Sequence, residues 1–320
     1  MKRWLLPILV FCLIAFFGCS NSHSPVVPDL ERNEQVAIAN DYTFITGKTN
    51  ATSWGDVYLK AAKIGYGNVP VRCGAYVYFI KYLSDFVPPY TPPKTVPVKY
   101  EIATGVVTQL GATSSGFDMW NKIDATNSGT LMTGKFSLTS VKRAGRTINL
   151  TYVTNAELSD DGSFVFYVQN NKAYRMNLST MQKTTLCSNG YVAEVATNSD
   201  GSKAIIVTQV NGTYTLYSWN GSGLSTIGSG YAYYNGIDMS QDGIASFSVN
   251  GKCYWLNGSP QLVGTGVFPA VKDGLMLYAN NGNLMSYDLG TGAGSTVATY
   301  STAVQQVEWT RDLTLAKSLI

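Results

Sequence analysis

Leu158-Ser-Asp-Asp-Gly-Ser-Phe-Val-Phe-Tyr-Val168, followed by Lys172-Ala-Tyr-Arg-Met-Asn-Leu178, is the stretch on which the reading of the fold turns. A polar turn opens it, and two runs rich in aromatic and apolar residues follow. The same opening recurs at Asp200-Gly201 before 203–208, at Asp242-Gly243 before 244–249 and at Asp273-Gly274 before 275–278. With Asp161-Gly162 these turns are spaced by 39, 42 and 31 residues. Glycine accepts positive φ without a Cβ clash, and aspartate can bond its own backbone in a turn. The eight residues Asp161, Gly162, Asp200, Gly201, Asp242, Gly243, Asp273 and Gly274 are therefore read as structural turn positions.

Between these openings lie Asn-Gly pairs at 189, 211, 220, 235, 250, 257 and 281, each a strong hairpin signal. Runs such as Thr213-Tyr-Thr-Leu-Tyr-Ser-Trp219 and Lys252-Cys-Tyr-Trp-Leu256 have strand composition. Beyond the leader no stretch of ten residues has helical periodicity, so helices are expected to be few. Turns every 8–12 residues mean a sandwich, barrel or propeller. A repeat near 40 residues with about four strands per unit selects the propeller. The expectation is an all-β chain with one propeller of seven blades, six or eight being the alternatives. Val307-Glu-Trp-Thr-Arg-Asp-Leu-Thr-Leu-Ala316 reads as one more opening cut short. It is expected to complete the N-terminal blade and close the ring. Asn127-Ser-Gly129 reads as a further opening in which the Asp is replaced.

These units resemble TolB-type, WD40-like propeller repeats. In those, a Ser-Pro-Asp-Gly turn opens a strand and an Asp-Leu-x-Thr-Gly turn follows the next pair. Asp288-Leu-Gly-Thr-Gly292 and Ala103-Thr-Gly105 match the second signature; Asp160, Ser199, Gln241 and Lys272 stand where the family has its proline. Asn281-Gly-Asn-Leu-Met-Ser-Tyr-Asp-Leu289 also resembles quinoprotein-type repeats. The resemblance covers about residues 70–312 and implies a propeller with an envelope partner.

Residues 1–19 read as a targeting signal. Lys2 and Arg3 precede an apolar run from Trp4 to Phe17, too short to span a bilayer comfortably, which ends at Gly18-Cys19. Gly18-Cys19 resembles the bacterial lipobox, which implies lipidation of Cys19 and an N-terminal membrane anchor, in the outer membrane where the host has two. The ordinary alternative is a secretory signal with an incidental cysteine. Residues 20–35 read as a polar tether and 36–320 as the propeller domain.

The formal charge is +3, and loss of Lys2 and Arg3 leaves +1. No nucleic-acid footprint is present. The single histidine, His23, lies in the tether, so no histidine-based triad, zinc site or general base is expected in the domain. Cys73, Cys187 and Cys253 lack CxxC spacing; they are either buried strand residues or include one bridged pair. No metal or other cofactor is expected. Candidate binding residues are Tyr90, at the tip of Val87-Pro-Pro-Tyr-Thr-Pro-Pro93, and the tryptophans Trp120, Trp219 and Trp255. Each also has a plain reading, a stiff surface insertion for the first and strand packing for the others. Lys142, Arg143 and Arg146 form a basic hairpin tip. The function expected is that of a monomeric binding or scaffold module whose partner is an envelope protein or glycan. The alternative is a carbohydrate-active enzyme using two carboxylates.

Overall fold

The computed structural model describes residues 42–47, 55–59, 62–83, 93–299 and 304–309, all within the compact unit Arg32–Ile320. These residues form six antiparallel sheets. The first holds seven strands: Val304–Trp309, Tyr42–Gly47, Gly55–Leu59, Ala62–Cys73, Tyr76–Tyr82, Thr95–Glu101 and Val107–Gln109. Each of the others is a four-stranded meander in chain order. The second runs Trp120–Ala125, Leu131–Lys135, Leu138–Arg143, Arg146–Thr151. The third runs Val153–Leu158, Phe164–Gln169, Lys172–Asn177, Lys183–Cys187. The fourth runs Tyr191–Thr197, Ala204–Val210, Thr213–Trp219, Leu224–Tyr231. The fifth runs Tyr234–Met239, Ala245–Val249, Lys252–Asn257, Ser259–Thr265. The sixth runs Val267–Lys272, Leu275–Asn280, Asn283–Asp288, Gly294–Thr299. The one helical turn among the described residues is Gly116–Asp118, and no described helix is long and apolar enough to cross a membrane.

The opening strands of successive sheets stand side by side, from Ala62–Cys73 to Val267–Lys272, which makes the fold a single β-propeller. Val304–Trp309 pairs with Tyr42–Gly47 and lies against both Val267–Lys272 and Ala62–Cys73. Six blades are formed, not the seven expected, and the reason lies in Ala62–Cys73. Residues Ala62 to Gly67 of that strand pair with Gly55–Leu59, and residues from Gly67 to Cys73 pair with Tyr76–Tyr82. One continuous strand thus joins into a single sheet what the sequence spacing assigns to two blades. A turn motif marks where a chain reverses, and this strand does not reverse.

The core is a series of slabs between sheets rather than one central mass. Phe164–Gln169 shows why its sequence is apolar without alternation. Val165 and Tyr167 pack with Met132 and Val141 of the second sheet, while Phe166 and Val168 pack with Ile206 and Trp219 of the fourth. A strand covered on both faces has no wet side to carry polar residues. Ile205, Val207 and Leu216 meet Ile237 and Phe247 between the fourth and fifth sheets. Cys73, Cys187 and Cys253 are all buried and none is in a disulfide; the Cys73 thiol donates to Asn127 Oδ1 at 3.0 Å.

The Asp-Gly openings all sit at one end of the propeller, and three share one construction. Asp161 Oδ1 accepts from Ser159 Oγ at 2.7 Å and from the Ser163 amide at 2.8 Å, and the Phe164 amide donates to Ser159 Oγ at 2.9 Å. Asp200 Oδ1 accepts from Asn198 Nδ2 at 2.8 Å and from the Ser202 amide at 2.9 Å. Asp242 Oδ1 accepts from Ser240 Oγ, to which the Ile244 amide donates at 2.8 Å. The polar residue two places before each Asp is therefore as much part of the turn as the Asp itself. Asp273-Gly274 is built differently. It is a two-residue hairpin with φ of 48° and 78°, joining Lys272 to its pairing partner Leu275. The turns also hold one another: the Asp161 amide donates to the Ser199 carbonyl at 3.0 Å, and Ser199 Oγ donates to the Gln241 carbonyl at 3.0 Å.

Candidate functional site

The opposite end of the propeller is constructed by different means. Every opening strand after the first pairings loses register there: between Asn68 and Val71, Trp120 and Lys122, Val153 and Asn155, Val192 and Glu194, Tyr234 and Ile237, and Val267 and Ala270. Such bulges bend a strand and re-aim its side chains, and they gather next to functional sites. Val69, Tyr152, Gly190, Gly236 and Phe268 take left-handed backbone at these places. For valine, tyrosine and phenylalanine that conformation costs on the order of 1–3 kcal/mol each.

Three tyrosines project from this end at successive passages between sheets. Tyr152, the lone residue joining the second sheet to the third, is 64% exposed; Tyr191 is 45% and Tyr233 49% exposed. Their backbones are held. The Tyr152 amide donates to the Ser137 carbonyl at 3.0 Å, and Asn250 Oδ1 accepts from the amides of Ala232 and Tyr233 at 3.1 and 3.3 Å. Large rings on a fixed backbone offer contact area at small entropic cost.

Below Tyr191, between the fourth and fifth sheets, lies a group of titratable side chains. Burial pushes the Glu194 carboxyl up to about 7, and the nearby Asp238 charge adds to this. Burial raises the Tyr234 hydroxyl strongly, followed by the proximity of Glu194, Tyr214 and Tyr191. The rings of Tyr214 and Tyr234 meet edge to face at 4.9 Å. Glu194 itself is only half-buried, a carboxyl hemmed in by protein yet reached by water. Asp238 is committed: its Oδ2 accepts from the Val271 amide at 2.7 Å. Asp124 does the same for the Leu158 amide at 2.8 Å, and Asn155 Oδ1 for the Val195 amide at 3.1 Å. An opening strand has one edge without a ladder partner, and these side chains satisfy the neighbour's exposed amides. Glu194 makes no hydrogen bond with the described residues, which leaves its carboxyl available to a ligand.

Two buried lysines also occupy opening strands. Burial pulls Lys122 down to about 8, and its ammonium donates to Asn121 Oδ1 at 2.9 Å. Lys272 Nζ is buried with no hydrogen-bond partner. Among the described residues no group of three or more His, Cys, Asp or Glu is placed to hold a metal ion.

The candidate tryptophans are not brought together. Trp120 is half-buried at the start of the second sheet's opening strand, its Nε1 donating to the Ala112 carbonyl at 2.7 Å. Trp219 is in the core, edge-on to Phe166 at 6.2 Å. Trp255 is half-buried in the fifth sheet, paired with Ser246 and Gln261. Tyr90 and Cys19 lie outside the described residues. Sequence reasoning passed over Tyr152, Tyr191, Tyr233 and Glu194. A signal was present for two of them: Tyr191 follows Asn189-Gly190, and Tyr233 stands two before Asn235-Gly236.

The chain is similar in structure to two 6-phosphogluconolactonase-like proteins. One is from Bacteroides uniformis, at TM-score 0.53 and 15% identity over 83% of this chain and 98% of that one. The other is from Bacteroides fragilis, at TM-score 0.52 and 13% identity over 86% and 99%. A protein from Lactobacillus plantarum matches at TM-score 0.52 and 12% identity over 84% and 98%. At these identities the likeness shows the propeller fold alone. No protein-family model and no curated protein matches the sequence.

Proposed function

We propose that the chain is an exported, lipid-anchored propeller that binds an envelope partner, protein or glycan, through its bulged end. The observation that carries this reading is the set Tyr152, Tyr191 and Tyr233, three exposed rings at successive passages on that end. Apolar rings left in water on a rigid frame mark contact surface. The anchor rests on Gly18-Cys19 after the apolar leader. Closure of the ring by the C-terminal strand belongs to the same proposal; its support is the pairing of Val304–Trp309 with Tyr42–Gly47. Crosslinking in intact cells tests the reading. A dominant partner recovered with the wild type and lost with a Tyr152→Ala, Tyr191→Ala, Tyr233→Ala triple variant is expected. Equal recovery with both proteins would sink it. Cys19→Ala, which removes the anchor, should leave the purified domain competent to bind.

One observation favours a second reading, a sugar-cleaving enzyme. Glu194, held near neutrality, and Asp238, tied to an amide, have the unequal environments of an acid and a base. Glu194→Gln would abolish hydrolysis of a glycan substrate under this reading and leave binding nearly intact.

A further inference from the structure

The two ends of the propeller differ in charge, in a way that names the ligand. At the bulged end Lys172 and Lys252 are exposed, each beside the turn between a sheet's second and third strands. Lys81 and Lys135 stand half-buried at the same level. Among the described residues the exposed acid there is Asp118, and it is taken: Lys135 Nζ lies 3.6 Å from its Oδ2. At the Asp-Gly end Asp161, Asp200, Asp242 and Asp273 are exposed, matched by Lys142, Arg146, Lys183 and Lys203. Among the described residues the surplus of exposed positive charge therefore lies at the end that carries the exposed tyrosines.

The tips of that end have a third property. Asn170, Asn171, Asn211, Asn250 and Asn281 occupy the turns between second and third strands, all exposed. Amides in this position suit a hydroxylated ligand, since they offer both donor and acceptor, Asn250 its donor alone because its Oδ1 holds the Ala232 and Tyr233 amides. They oppose insertion into a bilayer, where every unpartnered amide would carry a desolvation penalty. Rings for stacking, amides for hydroxyls and lysines for carboxylates occur together on one face.

We infer that the bulged end recognises an anionic glycan, a polysaccharide bearing carboxylate groups, with Lys172 and Lys252 meeting its charges and Tyr152, Tyr191 and Tyr233 its sugar faces. The inference rests on the binding role given to this end above and specifies its ligand. Glu194, deeper between the sheets, is not asked to meet the anion.

The test uses the full chain and two labelled probes of equal length, an oligogalacturonide and a neutral maltooligosaccharide, with fluorescence anisotropy as the readout. The acidic probe should bind ~5-fold more tightly, as two exposed charge pairs would give. The preference should shrink as salt rises past about 0.15 M. Lys172→Gln and Lys252→Gln together should remove the preference without lowering the melting temperature. Equal binding of both probes, with the lysine variant unchanged, overturns the anionic ligand and leaves the binding face standing. Absence of binding to the acidic probe overturns it as well. Binding to phosphatidylglycerol vesicles in place of the oligogalacturonide overturns it in favour of a lipid surface. If the tyrosine triple variant binds the acidic probe as the wild type does, the face itself is misassigned, and the two failures are told apart.

Discussion

The Asp-Gly end and the bulged end are made from the same strands, yet they spend their polar groups differently. At the first, Asp161, Asp200 and Asp242 each satisfy their own turn, and backbone groups reach across to the next sheet's turn. Little is left over for a ligand. At the second, strands lose register, tyrosine, valine and phenylalanine take left-handed backbone, and rings face water. The repeated motif therefore marks the end that holds the fold together, and the end without a motif is the one free to vary. Repetition in sequence is evidence of a shared structural need, while a binding surface needs residues that differ from blade to blade.

Five substitutions can break or sharpen that contrast. The largest effect is expected at Gly162, which has φ of 69° and where a Cβ would lie 2.5 Å from Thr130 Oγ1 and 2.9 Å from Thr126 Oγ1. Gly162→Ala should cost about 3 kcal/mol in urea denaturation. Gly274→Ala, at φ of 78° with nothing within 4 Å, should cost only about 1 kcal/mol. Equal losses would mean that the interlocking of neighbouring turns is not what makes that end rigid. Next comes Glu194. Its folded pKa, about 7, lies above the ordinary 4.5, so the folded state holds a proton that the unfolded chain gives up. Stability should fall as pH rises from about 4.5 to 7, by about 2 kcal/mol. Glu194→Gln should flatten that slope, and an unchanged pH profile would contradict the hemmed-in carboxyl. Asp161→Ala removes two acceptor contacts at a turn and should cost about 1 kcal/mol. The smallest effect has the opposite sign. Tyr152→Gly relieves left-handed strain and should leave stability unchanged or raise it by about 0.5 kcal/mol, while weakening ligand capture. A marked loss of stability would make Tyr152 a structural residue.

Much of the fold was legible because turn chemistry is local. Asp160-Asp161-Gly162 and the Asn-Gly pairs fix reversals within four residues, whatever surrounds them. The serine or asparagine two places before the Asp was visible in the same quotation but its role depends on three-dimensional closure of the turn. The blade count was misread because Asn68–Arg72 is continuous strand, and pairing on its two sides is set by register rather than by any residue type. The candidate site was almost illegible. A bulge shifts alternation by one residue and leaves no composition behind. Trp219 looked like a surface ring because aromatic content does not say which face a strand buries; it sits against Phe166. Tyr152 had no signal at all, since a one-residue connection contains no motif.

The pairing of Val304–Trp309 with Tyr42–Gly47 has a consequence for the order of assembly. Every other described strand pair joins neighbours along the chain, so each four-stranded sheet can form as soon as it emerges from synthesis. Thr43 meets Glu308 across about 265 residues. Bringing such distant segments together costs roughly 5 kcal/mol of chain entropy if nothing has formed between them. It costs far less once the intervening sheets stand in order and deliver one terminus to the other. Folding should therefore run from blade to blade with this pairing last, and a chain stalled short of residue 304 would present the open edge of Tyr42–Gly47 to other chains.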